Sequence, residues 1–147
     1  MMDSLIESIT CRGKTLAVLL RTSFKSDGIE FFTPGDFSQQ LGYMNRPHGY
    51  VITPHVHNPS PRKVQYTKEV LFIKSGRVRV DFYEDDKTYL ESRILETGDV
   101  ILLAYGGHGF EMLEPTEMIE VKQGPYAGEY DKTRFEGISA DQAVIKP

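Results

Sequence analysis

From residue 69 to residue 121 the chain alternates short strand-like runs with turn formers, and no stretch sustains a helical period. Residues 69–74 (EVLFIK) are followed by Ser75-Gly76, a two-residue turn signal. In residues 77–82, Val78, Val80 and Phe82 alternate with charged neighbours, the period of a half-buried strand. The pattern predicts a hairpin with its turn at Ser75-Gly76. Further strands are expected over residues 89–95, 100–104, 110–113 and 118–121, broken at Thr97-Gly98-Asp99 and at Gly106-Gly107-His108-Gly109. Upstream, residues 16–21 (LAVLLR) form one more short apolar run. The one candidate helix, residues 3–9, is marginal in length. Short strands this closely spaced imply an all-β sandwich or barrel, and 147 residues suit one domain. We expect a single domain over 1–147, with a barrel core over about 15–122 and an irregular tail over 123–147.

Composition narrows the class. At 39% hydrophobic residues the chain can bury a core, so wholesale disorder is excluded. No apolar run approaches the roughly 18 residues of a spanning helix, so no membrane partner is expected. The start lacks a basic leader followed by a long apolar stretch, which argues against a secretory signal. The one cysteine, Cys11, makes neither an intramolecular disulfide nor a cysteine-based zinc cluster, so a cytoplasmic setting is expected. Lys and Arg total 17 against 21 Asp and Glu, and no basic run is interleaved with aromatics. Nucleic acid is therefore not an expected partner. No P-loop or Gly-x-Gly-x-x-Gly motif supports nucleotide chemistry of the usual kinds.

Chemistry-bearing residues centre on four histidines, His48, His55, His57 and His108. His55 and His57 are two apart, which on an extended strand turns both imidazoles to one face. Glu69 is in phase with Leu71 and Ile73, and His108 with Phe110 and Met112. If those apolar faces point inward, three imidazoles and one carboxylate converge inside a barrel, a donor set suited to a transition metal. Each residue also has a plainer reading. A His-x-His can be exposed by chance, His108 can be a loop histidine, and Glu69 can pair with Lys68 or Lys74 at the surface. His48, after Arg46-Pro47, reads as structural.

The spacing of the glycines around these residues resembles the cupin superfamily. Gly49 stands six positions before His55, and Glu69 seven before Gly76, as in the first cupin motif; Gly98 opens and His108 closes the second. The chain departs from the pattern in two places. Eleven residues separate His57 from Glu69 where the family has three or four, and Ala104 stands where the second motif has proline. The resemblance implies a double-stranded β-helix (jelly-roll) barrel. It also implies one divalent transition metal, Zn, Mn, Fe or Ni, held by His55, His57, Glu69 and His108.

The segment from Ile119 to Phe135 (IEVKQGPYAGEYDKTRF) resembles the end of the isomerase domain of type II phosphomannose isomerases, through Gly124, Tyr126, Gly128, Glu129, Asp131 and Arg134. This implies a small-molecule substrate of carbohydrate type, a sugar phosphate or nucleotide sugar, and isomerase or epimerase chemistry. The plainer alternative is a capping segment that reports fold alone. An iron-dependent dioxygenase and a non-catalytic small-ligand binder stay open beside it. Arg62 and Lys63, on the proline-bearing loop 58–68, could hold a phosphate at the rim or be solvated charges. No general base is assigned; Tyr66, Lys68 and Glu111 lie near the expected mouth. A homodimer is expected, with residues 16–20 pairing across a two-fold axis to cover Val70 and Phe72.

Overall fold

The computed structural model describes residues 4–147. Its strands are β1 (Ile6–Cys11), β2 (Lys14–Leu20), β3 (Gly28–Phe31), β4 (Gly42–Asn45), β5 (Glu69–Ser75), β6 (Arg77–Tyr83), β7 (Tyr89–Glu96), β8 (Val100–Leu103), β9 (Gly107–Met112), β10 (Glu117–Lys122) and β11 (Ile145–Lys146). The protein is all-β, as the strand periodicity implies. One sheet runs β1-β2-β8-β5-β10, a second β11-β7-β6-β9, and β3-β4 make a separate two-stranded ribbon. All pairings are antiparallel except that of β11 with β7.

The two larger sheets share one core. Leu19, Leu71, Ile73, Ile101 and Leu103 come from the first, and Val78, Val80, Phe82 and Leu95 from the second. Period-2 alternation explains which residues enter it: Leu71 and Ile73 are buried while Phe72 and Lys74 are exposed. Fully burying one such aliphatic side chain contributes about 1.5–3 kcal/mol, so this core is the main stabilising term.

Three local expectations are corrected. The Ser75-Gly76 turn does not make a hairpin, because β5 pairs with β8 and β10 whereas β6 pairs with β7 and β9. Gly76 is instead the corner where the chain crosses between sheets, at φ +99°. A Cβ there would sit 2.4 Å from the Pro115 carbonyl oxygen and 2.7 Å from Thr116 Cα, and backbone atoms cannot give way. Gly76→Ala is expected to cost roughly 2–4 kcal/mol through the left-handed backbone and the clash together. Gly49→Ala, at φ +81° with nothing within 4 Å, should cost only about 1 kcal/mol. Urea unfolding of both variants checks this through midpoints that fall at unchanged slope; equal costs would show that the clash at the corner contributes nothing.

The expected helix over residues 3–9 is replaced by strand β1 from Ile6, and Asp3 lies outside the described residues. Arg12 and Gly13, both at positive φ, turn β1 back onto β2, and the hairpin buries Ile9 completely. A seven-residue helix has no comparable partner for its apolar side. The third correction concerns β2. Both its edges are taken, by β1 and β8 of the same chain, so residues 16–20 have no edge to offer across a two-fold axis. Phe72, Ile119 and Val121 stand exposed on the outward side of the first sheet.

The tail carries more structure than its composition shows. After two short 3-10 turns, Gly128–Asp131 and Ala140–Gln142, it ends in β11 against β7. Tyr83 holds it down: Phe135 packs edge-on to its ring at 5.0 Å, and its hydroxyl accepts the Ile138 N–H at 2.9 Å. No described helix is long and apolar enough to cross a membrane.

Candidate functional site

Glu69 opens β5 on the inward face, and His108 sits on β9 directly across from Phe82 of β6. The two sheets bring them together. His108 Nε2 lies 3.4 Å from Glu69 Oε2, with side chains 27% and 14% exposed. Lys122, at the end of β10, is the register partner of Glu69 and places Nζ 3.7 Å from its Oε1. Lys122 also reaches Asp131 at 3.6 Å, and Thr67 donates to Asp131 at 2.5 Å. The tail is thereby pinned across the mouth.

The pKa directions follow this geometry. The hydrogen bond from His108 holds the Glu69 carboxyl below its ordinary range, against the opposing effect of burial and with help from Lys122. Asp131 is lowered by the Thr67 hydroxyl and then by Lys122. The flanking carboxylates raise the Lys122 ammonium against its own desolvation. Both carboxylates and the ammonium are therefore charged around neutrality.

A cavity of about 900 Å³ opens at this point, continuous along β9 and under the tail. Tyr66 and Tyr105, whose rings meet edge-to-face at 5.2 Å, line it together with Lys132 and Arg134. Lys132, Arg134 and Tyr105 escaped the sequence reading as cavity-lining groups, as did the Lys122 contact with Glu69. Asp131 and Arg134 carried a signal only as members of the tail pattern. That Lys122 faces Glu69 depends on β10 pairing with β5, which no short turn announces.

His55 and His57 are elsewhere. The strand expected for them is absent: residues 46–68 have no sheet partner, and every residue from 44 to 66 is exposed. The two rings lie 5.2 Å apart on one side of the extended segment, as the i, i+2 spacing implies. Among the described residues, no three His, Cys, Asp or Glu side chains are placed to hold an ion. One copy thus keeps the four candidate ligands as two separate pairs, with an ammonium already beside Glu69, and the donors of a single chain do not fit a metal centre.

The remaining candidates are also placed. Arg62 and Lys63 are exposed on the same segment, and Arg62 reaches only the Ser60 carbonyl, at 3.4 Å. Lys68 donates to Ser38 Oγ at 3.1 Å. Glu111 lies on the outward face of β9 and pairs with Arg79 at 2.8 Å. His48 is exposed in the turn closed by the Tyr50 N–H on the Pro47 carbonyl. Of the three residues considered as a base, Tyr66 lines the cavity beside Tyr105, and Glu111 borders it only from the outward face, tied to Arg79. No protein-family model, curated protein or solved structure matches the chain.

Proposed function

We propose that the chain is a cupin-type double-stranded β-helix that isomerises or epimerises a small carbohydrate, a sugar phosphate or nucleotide sugar, at the mouth formed by β5, β9 and β10. The observation that carries this reading is the Glu69–His108 contact, 3.4 Å long and facing an open cavity. An imidazole whose Nε2–H is held by a carboxylate keeps Nδ1 as its acceptor, which is the arrangement of a general base. Such a ring can take a proton from the carbon next to a carbonyl and return it to the neighbouring carbon or the opposite face.

Substrate class follows from the rest of the lining. Tyr66 and Tyr105 present apolar ring surface with polar tips, which suits the C–H faces and hydroxyls of a sugar. Lys132 brings positive charge to the rim, where a phosphate would sit, and Arg134 stands there paired with Glu129. Lys122, between Glu69 and Asp131, helps to keep the Glu69 carboxylate ionised beside the ring.

The test is solvent exchange. The protein is incubated in D2O with a panel of aldose and ketose phosphates and nucleoside-diphosphate sugars, and proton NMR follows deuterium entering the carbon next to the carbonyl or, in a nucleotide sugar, the ring carbons. Incorporation in at least one substrate class, absent with heat-denatured protein, is expected. A panel with no exchange in any member would overturn the isomerase reading.

A further inference from the structure

The segment between β4 and β5 is built unlike the rest of the molecule. Val51 is 76% exposed and Val56 86%, and Ile52 is more than half exposed. Among the described residues, no backbone N–H or C=O from 51 to 67 bonds to another backbone group. The side-chain hydrogen bonds of His55 and Arg62 stay within the segment, to Thr53 and Ser60. A span of β-branched residues with no water-shielded side and no ladder gains nothing from being extended in a lone chain. At about 3.3 Å per residue, its ten residues on either side of the tip reach roughly 33 Å, well past the surface of a domain this size.

The complementary feature is on the body. β9 ends its sheet and pairs only with β6, so its outer edge carries unpaired backbone groups beside the cavity. Charge matches as well. Residues 46–66 hold Arg46, Arg62 and Lys63 and no acidic residue, while six carboxylates against four Lys or Arg line the cavity. The sequence suits an added strand. Backbone groups alternate in direction along a strand, so if His55 and His57 bond toward β9, Pro54 turns its missing N–H away from the ladder.

We infer that two copies of the chain exchange these segments, residues 51–57 of one adding as a strand to the free β9 edge of the other. His55 and His57 of each copy then face Glu69 and His108 of its partner copy, and the mouth is complete only in the dimer. The exchange brings together the two pairs that a single chain keeps apart, so that the partner copy's two imidazoles stand beside the Glu69–His108 contact. This inference uses the same mouth as the proposed function but does not depend on the substrate, because its test reads mass and backbone pairing.

Light scattering and hydrogen exchange on the full chain test it, beside a variant carrying Val51→Ser, Ile52→Ser and Val56→Ser. The native chain is expected at twice the monomer mass, with amides in 51–57 slowed about 100-fold relative to a free peptide. In the variant both the mass and the protection of β9 should fall, because those side chains are mostly exposed in their own body and add little to its core. A native monomer overturns the exchange. So does a native dimer whose 51–57 amides exchange at the free-peptide rate, which also decides the matter if the variant does not fold. A dimeric variant with β9 protection intact likewise overturns it.

Discussion

Replacing Asp99 by alanine is expected to destabilise the fold by about 3–5 kcal/mol. For a domain of this length that corresponds to a fall in Tm on the order of 6–20 °C. Asp99 is 3% exposed, at the turn between β7 and β8. Its Oδ1 accepts the Thr22 N–H at 2.9 Å, and its Oδ2 accepts the Glu96 N–H at 2.8 Å and Arg21 Nη1 at 3.1 Å. Arg21 in turn bonds the Ile94 carbonyl at 2.6 Å and Glu7 at 2.5 Å, so one carboxylate ties β1, the end of β2, β7 and β8 together. Alanine strands two backbone donors and takes one of three partners from the Arg21 guanidinium, and unmade bonds of buried groups cost more than made ones contribute. Asp99→Asn keeps one acceptor and the volume, and should cost only about 1–2 kcal/mol. Calorimetry on the two variants checks the order; an alanine variant within about 3 °C of the native Tm would show that the turn holds without its carboxylate.

The contrast between this turn and Gly76 shows what the sequence makes legible. Thr97-Gly98-Asp99 reads as a turn from residue types alone, and its local bonds are those that Asp99 makes with the Glu96 N–H and carbonyl. Ser75-Gly76 reads equally well as a turn, yet what it joins is decided by partners far away. β5 pairs with β10 and β8, never with β6, and no local signal encodes that. The same limit governs the site. The inward phase of Glu69 and of His108 follows from period-2 alternation with their apolar neighbours, so half of the candidate constellation is readable along the strands. That the two residues meet depends on the packing of one sheet on the other. His55 and His57 mark the opposite failure: their spacing is right for an extended strand, but a strand needs a partner edge, and the only period-2 information in the segment concerns faces, not pairing. The β3-β4 ribbon escaped notice because its strands are four residues each, with little alternation.

If the mouth moves a proton as proposed, His108→Ala should lower kcat/KM on the exchanging substrate by about 10²–10⁴-fold, the usual worth of a positioned base. Glu69→Gln keeps the side-chain volume and removes the charge that fixes which ring nitrogen carries the hydrogen. Its effect should fall mainly on kcat, by roughly 10²-fold, because the binding surface contributed by Tyr66, Tyr105, Lys132 and Arg134 is untouched. The pairing makes a sharper claim than either single loss. With the imidazole already gone, removing the carboxylate should add little, so the double variant should match His108→Ala within a few-fold rather than multiply the two effects. Thermal stability serves as the control: neither side chain belongs to the core between the sheets, and Tm should stay within about 3 °C for both. Independent, multiplying losses would mean that Glu69 acts on the substrate directly and not through the ring. An active His108→Ala protein would remove the base from the mouth altogether and leave Glu69, flanked by the Lys122 ammonium, as the group to which proton transfer must be reassigned.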